Sequence, residues 1–195
     1  MAKDRAAEGS QDSSVDDLVS LLDSIGGASQ AAERADAADP DDEAPAQHDT
    51  ARVLVINGPN INMLGIREPD IYGHDTYRAM LQLCHDAAQE AGFTECTCFQ
   101  SNHEGDLIDA IQDAYGSYSG IVINPGAYTH TSIAILDAAK AVGLPMVEVH
   151  ISNVDEREEF RRVSYIRAAC FETISGLGIE GYRKAILDLA AHIGL

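Results

Sequence analysis

The sequence predicts an α/β fold: a flavodoxin-like five-stranded parallel sheet with helices on both faces, preceded by an acidic N-terminal tail. Three observations predict it. Five short β-type runs alternate with four helical stretches between residues 51 and 195. The runs are short and mostly apolar, as a sheet covered on both faces requires. Three of the four gaps between them hold a helical stretch, so right-handed βαβ crossovers follow.

Taken in order, RVLVIN (52–57) is the first strand, and a Gly/Pro/Asn-rich loop follows it. A helix spans about 77–91 and stops at Gly92. TECTCFQ (94–100) is the second strand, with a helix over about 106–115 behind it. GIVIN (120–124) is the third, broken by Pro125-Gly126. SIAILDAAKAV (132–142) is a helix ended by Gly143, and PMVEVH (145–150) is the fourth strand. After an arginine-rich turn, FETISG (171–176) is the fifth strand and IEGYRKAILDLAAHI (179–193) the closing helix. Ligands of such sheets bind beyond the carboxyl ends of the strands. The loops that start at Asn57, Gln100, Asn124 and His150 are therefore the ones expected to hold a site.

Charge narrows the function classes. The 195 residues carry 13 Lys and Arg against 32 Asp and Glu, a formal net charge of −19. That balance argues against nucleic acid and against docking on an anionic membrane. No apolar run approaches the ~18 residues of a membrane span. No hydrophobic stretch follows the N-terminal charges, so no secretory leader is expected. Cys84, Cys96, Cys98 and Cys170 do not space like a disulfide scaffold. Cys96 and Cys98 share a strand face but lack a second pair of metal ligands. They read as reduced thiols of a cytoplasmic protein.

Residues 1–50 form a separate region without Phe, Tyr or Trp, with thirteen acidic residues against three basic ones. Such a segment buries too little apolar area to offset its ordering entropy and is expected to be disordered. Within it, SSVDDLVSLLDSIGG places Val15, Leu18, Val19, Leu22 and Ile25 at helical spacing. A short amphipathic helix near 14–25 follows. It reads either as a nascent helix that frays or as a docking helix for an unidentified partner.

The loops carry the chemistry. NGPNINMLGIREPDIYG (57–73) is long and polar, with Asn60, Asn62, Arg67, Glu68 and Tyr72. It contains neither GxxxxGK[ST] nor GxGxxG, so ATP and dinucleotide cofactors are not expected. NPGAYTHTS (124–132) puts His130 at the mouth of a helix, where free N–H groups favour an anion. HISN (150–153) leads into DEREEFRR, where Arg157 and Arg161 are four apart and would share a helical face. An arginine cluster in an acid-rich chain points to an anionic ligand. Pairing with Glu158 and Glu159 is the alternative. Taken singly, Tyr72 and Arg67 read as surface-loop residues, His150 as a strand-end histidine and His130 as a helix-mouth cap.

Together, NGPNINMLGIREPDIYG, FQSNHEGDLIDAI, INPGAYTHTSIAILDA and VEVHISNVDEREEFRRVSY resemble the type II 3-dehydroquinate dehydratases. The resemblance runs in order through residues 53–195 and leaves out the tail, which makes 51–195 a dehydratase domain. It implies a lyase of the shikimate pathway of aromatic amino acid biosynthesis. That lyase converts 3-dehydroquinate to 3-dehydroshikimate by anti elimination through an enolate, with no metal or organic cofactor. It implies Tyr72 as base, Arg67 as its activator, His150 as the acid and Asn60 as holder of an enolate-stabilising water. Asn124, Gly126, His130, Ile151, Ser152 and Arg161 would bind substrate, and Asp137 would reach a neighbouring subunit's site. The implied assembly is a homododecamer, a tetramer of trimers. The alternative is a non-catalytic flavodoxin-like protein that binds a small anionic ligand.

The residues are chemically consistent with those roles. A free tyrosine ionises near pH 10, so a phenolate base at neutral pH needs about 4 kcal/mol of preferential stabilisation. A guanidinium in a water-poor site supplies that order of energy. A histidine acid calls for a neighbouring carboxylate, and Glu148, two residues back on the same strand face, is the candidate. The lysines Lys3, Lys140 and Lys184 all lie away from strand ends, which gives an imine mechanism poor support.

Overall fold

The computed structural model describes residues 51–66 and 75–195. The tail with its helix near 14–25 lies outside the described residues, as do Arg67, Glu68 and Tyr72. Five strands form one parallel sheet: β1 (Arg52–Asn57), β2 (Glu95–Gln100), β3 (Gly120–Asn124), β4 (Met146–His150) and β5 (Glu172–Ser175). Their order is β2-β1-β3-β4-β5, the flavodoxin-like order expected. Four helices cover it: α1 (Tyr77–Glu90), α2 (Glu104–Asp113), α3 (Ile133–Val142) and α4 (Glu180–Ile193).

The period-two alternation of the strands divides the core into two layers. Val53, Val55, Val122, Val147 and Val149 pack with Met80, Cys84, Ile186 and Leu189 of α1 and α4. Leu54, Ile56, Ile121, Ile123 and Met146 pack with Leu107, Ile111, Ile135 and Ala139 of α2 and α3. β3 and β4 are buried throughout, whereas β2 at the sheet edge is half-exposed.

Two local expectations change. Helix α2 starts at Glu104, two residues early, because Ser101 Oγ takes the His103 N–H and donates to Asp106, building a first turn. The arginine-rich segment is not an α-helix. It runs as three 3₁₀ turns, Val154–Glu156, Glu159–Arg162 and Ile166–Ala169. The segment is pinned along its length, the Val154 N–H on Ser175 Oγ and the Tyr165 N–H on the Thr129 carbonyl. Arg157 and Arg161 meet through that path rather than through helical periodicity.

The carboxyl ends of β1 and β3 are locked together. The buried Tyr182 hydroxyl donates to Asn57 Oδ1 at 2.6 Å and accepts from Asn124 Nδ2 at 2.8 Å. Above this triad the two loops run back to back. Gly58 N–H donates to the Asn124 carbonyl at 2.7 Å, and a Cβ on Gly58 would lie 2.4 Å from the Pro125 oxygen. That approach brings the loops after β1 and β3 to a single cleft. Tyr182→Phe strands two buried amide side chains and is expected to cost about 1–3 kcal/mol, read as a lower midpoint in thermal or urea unfolding.

Candidate active site

A cleft of about 120 Å³ opens beyond the carboxyl ends of β1, β3 and β4. Eight of the expected residues border it: Asn60, Asn124, Gly126, His130, His150, Ile151, Ser152 and Arg161. Arg157 borders it as well. Asp137 does not; it is exposed on α3. Arg67 and Tyr72 lie outside the described residues.

His150 sits over a buried carboxylate. Its Nε2 is 2.8 Å from Glu148 Oε1, and Glu148 is wholly buried. Burial alone would push the Glu148 carboxyl up, but hydrogen bonds from His150, Thr129 and Ser164 outweigh it and hold the carboxyl below its usual range. An ionised carboxylate only accepts, so Nε2 of His150 carries the proton and Nδ1 is left for a ligand. The Glu148 neighbour expected from the strand pattern is in place.

His130 stacks on His150, with ring centroids 6.5 Å apart. Its Nδ1–H donates to the Val163 carbonyl at 2.7 Å. Burial pushes its pKa down, and the charges of His150 and Arg161 act the same way against the Val163 bond. A neutral His130 then offers the Nε2 lone pair, an acceptor for a ligand hydroxyl.

Asn60 has φ +67°, alone among described non-glycine residues in the left-handed region. Asn102 holds it there, its Oδ1 accepting the Asn60 N–H at 2.9 Å and Gln100 Nε2–H at 3.2 Å. Asn124 spends part of its amide on the protein, donating to Tyr182 and accepting from the Gly126 N–H. One amide hydrogen and one lone pair remain for a ligand.

Both cleft arginines lean on one exposed acid. Arg161 Nε donates to Glu158 at 2.8 Å, and Arg157 Nε lies 3.7 Å from the same oxygen. The expected pairing with Glu158 thus coexists with the cleft position. Two guanidiniums and two histidines thus border the cleft together with Ile151 and Ser152.

Sequence reasoning missed three residues here. Asn102 stood in a quoted motif without a role. Thr129 and Ser164, which grip Glu148, gave no signal, since their meeting depends on a contact 35 residues apart in the chain.

A family model described as dehydroquinase class II matches residues 51–190. The chain belongs to the class II dehydroquinase family. A 3-dehydroquinate dehydratase of Corynebacterium glutamicum (strain R) is 56% identical over 142 residues, 73% of this chain and 97% of that protein. One from Rhodopseudomonas palustris (strain BisA53) is 54% identical over 144 residues, 73% of this chain and 95% of that protein. The crystal structure of a type II dehydroquinase from Butyrivibrio crossotus aligns with a TM-score of 0.70 at 49% identity, over 73% of this chain and 99% of that one. The class II dehydroquinase match includes every element that borders the cleft.

The buried carboxylate makes acid stability testable. Ionised Glu148 stabilises the fold fully above the usual carboxyl value of 4.5, and that contribution is lost as pH falls through the lower native value. Glu148→Gln is expected to lower the melting temperature at pH 7, with the gap from the native chain narrowing below pH 4.5.

Proposed function

We propose that this class II dehydroquinase dehydrates 3-dehydroquinate to 3-dehydroshikimate in the shikimate pathway of aromatic amino acid biosynthesis. The observation that carries the reading is His150, backed by buried Glu148, facing a cleft bordered by two guanidiniums in a chain of this family. Tyr72 removes the C2 proton beside the ketone, and the C2–H electron pair passes into an enolate. Arg67 stabilises the Tyr72 phenolate, and Asn60 orients a water toward the enolate oxygen. The enolate then reforms the ketone as the new double bond expels the C1 hydroxyl. His150, carrying a proton on each ring nitrogen with Nε2–H held by Glu148, gives that hydroxyl its Nδ1 proton, and water leaves. The elimination is anti, with base and acid on opposite faces of the ring. It draws on side chains for both proton transfers and calls for no cofactor.

Substrate binding follows from the cleft. The N–H groups of Ile151 and Ser152 take the substrate carboxylate, with Arg161, His130, Asn124 and Gly126 around the ring. Oriented donors of this kind fix a reacting ring within reach of acid and base. Subunits assemble as a cytoplasmic homododecamer, a tetramer of trimers, in which Asp137 serves a neighbour's cleft. Its exposure on α3, beside the half-exposed Ile133 one turn earlier, supports that reading. Light scattering of the full chain is expected to give twelve times its 20.9 kDa. A lower mass would remove the role given to Asp137.

The deciding assay follows the ultraviolet absorbance of the conjugated enone formed from 3-dehydroquinate. Full activity in the native chain and a loss of about a thousandfold or more in kcat for Tyr72→Phe are expected, the size of losing an essential base. Tight binding of 3-dehydroquinate without turnover would instead make the chain a binding protein.

A further inference from the structure

The carboxylate beneath His150 is held by hydroxyls from separate segments. Thr129, fully buried, belongs to the 3₁₀ turn Gly126–His130, and its Oγ1 donates to Glu148 Oε1. Ser164 lies between the turns Glu159–Arg162 and Ile166–Ala169, with its Oγ at 2.8 and 3.0 Å from the two Glu148 oxygens. The two hydroxyls are 2.8 Å apart, and Thr173 of β5 stands further off at 3.4 Å.

We propose that Thr129 and Ser164 are positioning residues for the acid, holding Glu148 in the orientation that keeps His150 Nε2–H engaged and Nδ1 toward the cleft. The proposal rests on the reading of His150 as the acid. Its geometric basis is that Thr129 and His150 donate to the same oxygen, Oε1. A glutamate side chain has three rotatable bonds, and only fixed donors keep one oxygen under the imidazole. Arg167, with Nε 3.9 Å from Oε2, competes for the carboxylate. Without the hydroxyls the carboxylate is free to turn toward that guanidinium.

Ser164 also joins the arginine-bearing segment to the acid. Its Oγ accepts the Arg167 N–H at 3.0 Å, opening the turn Ile166–Ala169. On either side, Val163 accepts from His130 and the Tyr165 N–H donates to the Thr129 carbonyl. Residues 163–165 thus set the orientation of both cleft histidines. The charged and titratable groups around Glu148 are His150 on its own strand, His130, Arg167 and Cys170.

The test uses Thr129→Val, Thr129→Ser and Ser164→Ala in the full chain. Two readouts are needed: kcat and KM for 3-dehydroquinate across pH, and ¹⁵N NMR of the His150 ring. Thr129→Val and Ser164→Ala are expected to lower kcat roughly ten- to a hundredfold, the range typical of lost outer-layer partners. For Thr129→Val, KM should change little. The acid limb of the kcat profile should move to higher pH in both, because a carboxylate that loses a donor takes up a proton more readily. Thr129→Ser, which keeps the hydroxyl, should restore both limb and rate. In the NMR spectrum the native chain should show His150 protonated at Nε2, and the two hydroxyl-free variants a mixture of tautomers. An unmoved acid limb with an unchanged tautomer would overturn the proposal, whatever the loss of stability. So would a failure of Thr129→Ser to rescue. A native chain that does not turn over 3-dehydroquinate would sink the functional reading instead, and the tautomer alone would then decide the positioning.

Discussion

A negative charge buried in the middle of a parallel sheet is the constraint around which the site is arranged. Glu148 lies in register with Ile123 of β3 and Thr173 of β5, and its neighbours on β4, Val147 and Val149, point into the opposite core. A carboxylate in that position is untenable unless each lone pair is met. The alternation of β4 puts Met146, Glu148 and His150 on one face. That face runs from apolar core, through the anion, to the cleft in three steps. The donors come from the turn after β3, from the segment after β4 and from β5, so the charge draws three parts of the chain to one place.

The same logic explains the cleft's two walls. Tyr182 ties Asn57 to Asn124 below, and Gly58 and Pro125 touch above. Neither contact belongs to a regular ladder, yet both depend on ladder register, because Asn57 pairs with Asn124 at the end of β1 and β3. A one-residue slip of either strand would turn its amide to the other face and dissolve the triad. The site therefore inherits its precision from backbone pairing within the sheet. The loops and the last strand residues, Asn124 and His150, supply the chemical groups.

The fold was legible because its signals are local and repeated. Apolar runs, Gly92, Gly143 and Pro125-Gly126 each mark an element end within the chain itself, and a covered parallel sheet leaves few ways to connect them. His150 and Glu148 were legible for the same reason, since two residues on one strand share a face. The 3₁₀ path of residues 154–169 was not, because four-residue spacing of arginines imitates a helix while distant anchors at Ser175 and Thr129 decide the backbone. Thr129 and Ser164 were silent on their own. Small hydroxyl residues acquire meaning only from what a fold sets beside them, and here that is a carboxylate on a strand between them.

The arginines show how an acidic chain keeps cations beside its cleft. Glu158 engages Arg161 and approaches Arg157, yet its own side chain is half exposed. Exposed ion pairs are worth little, about 0–1 kcal/mol, because water competes for both partners. Glu158 therefore holds the guanidiniums in place without neutralising them strongly. Their donors are therefore oriented at the border of the cleft before any ligand arrives. The pairing with Glu158 and the place beside the cleft are compatible: an exposed acid sets the direction of two cations that border the site.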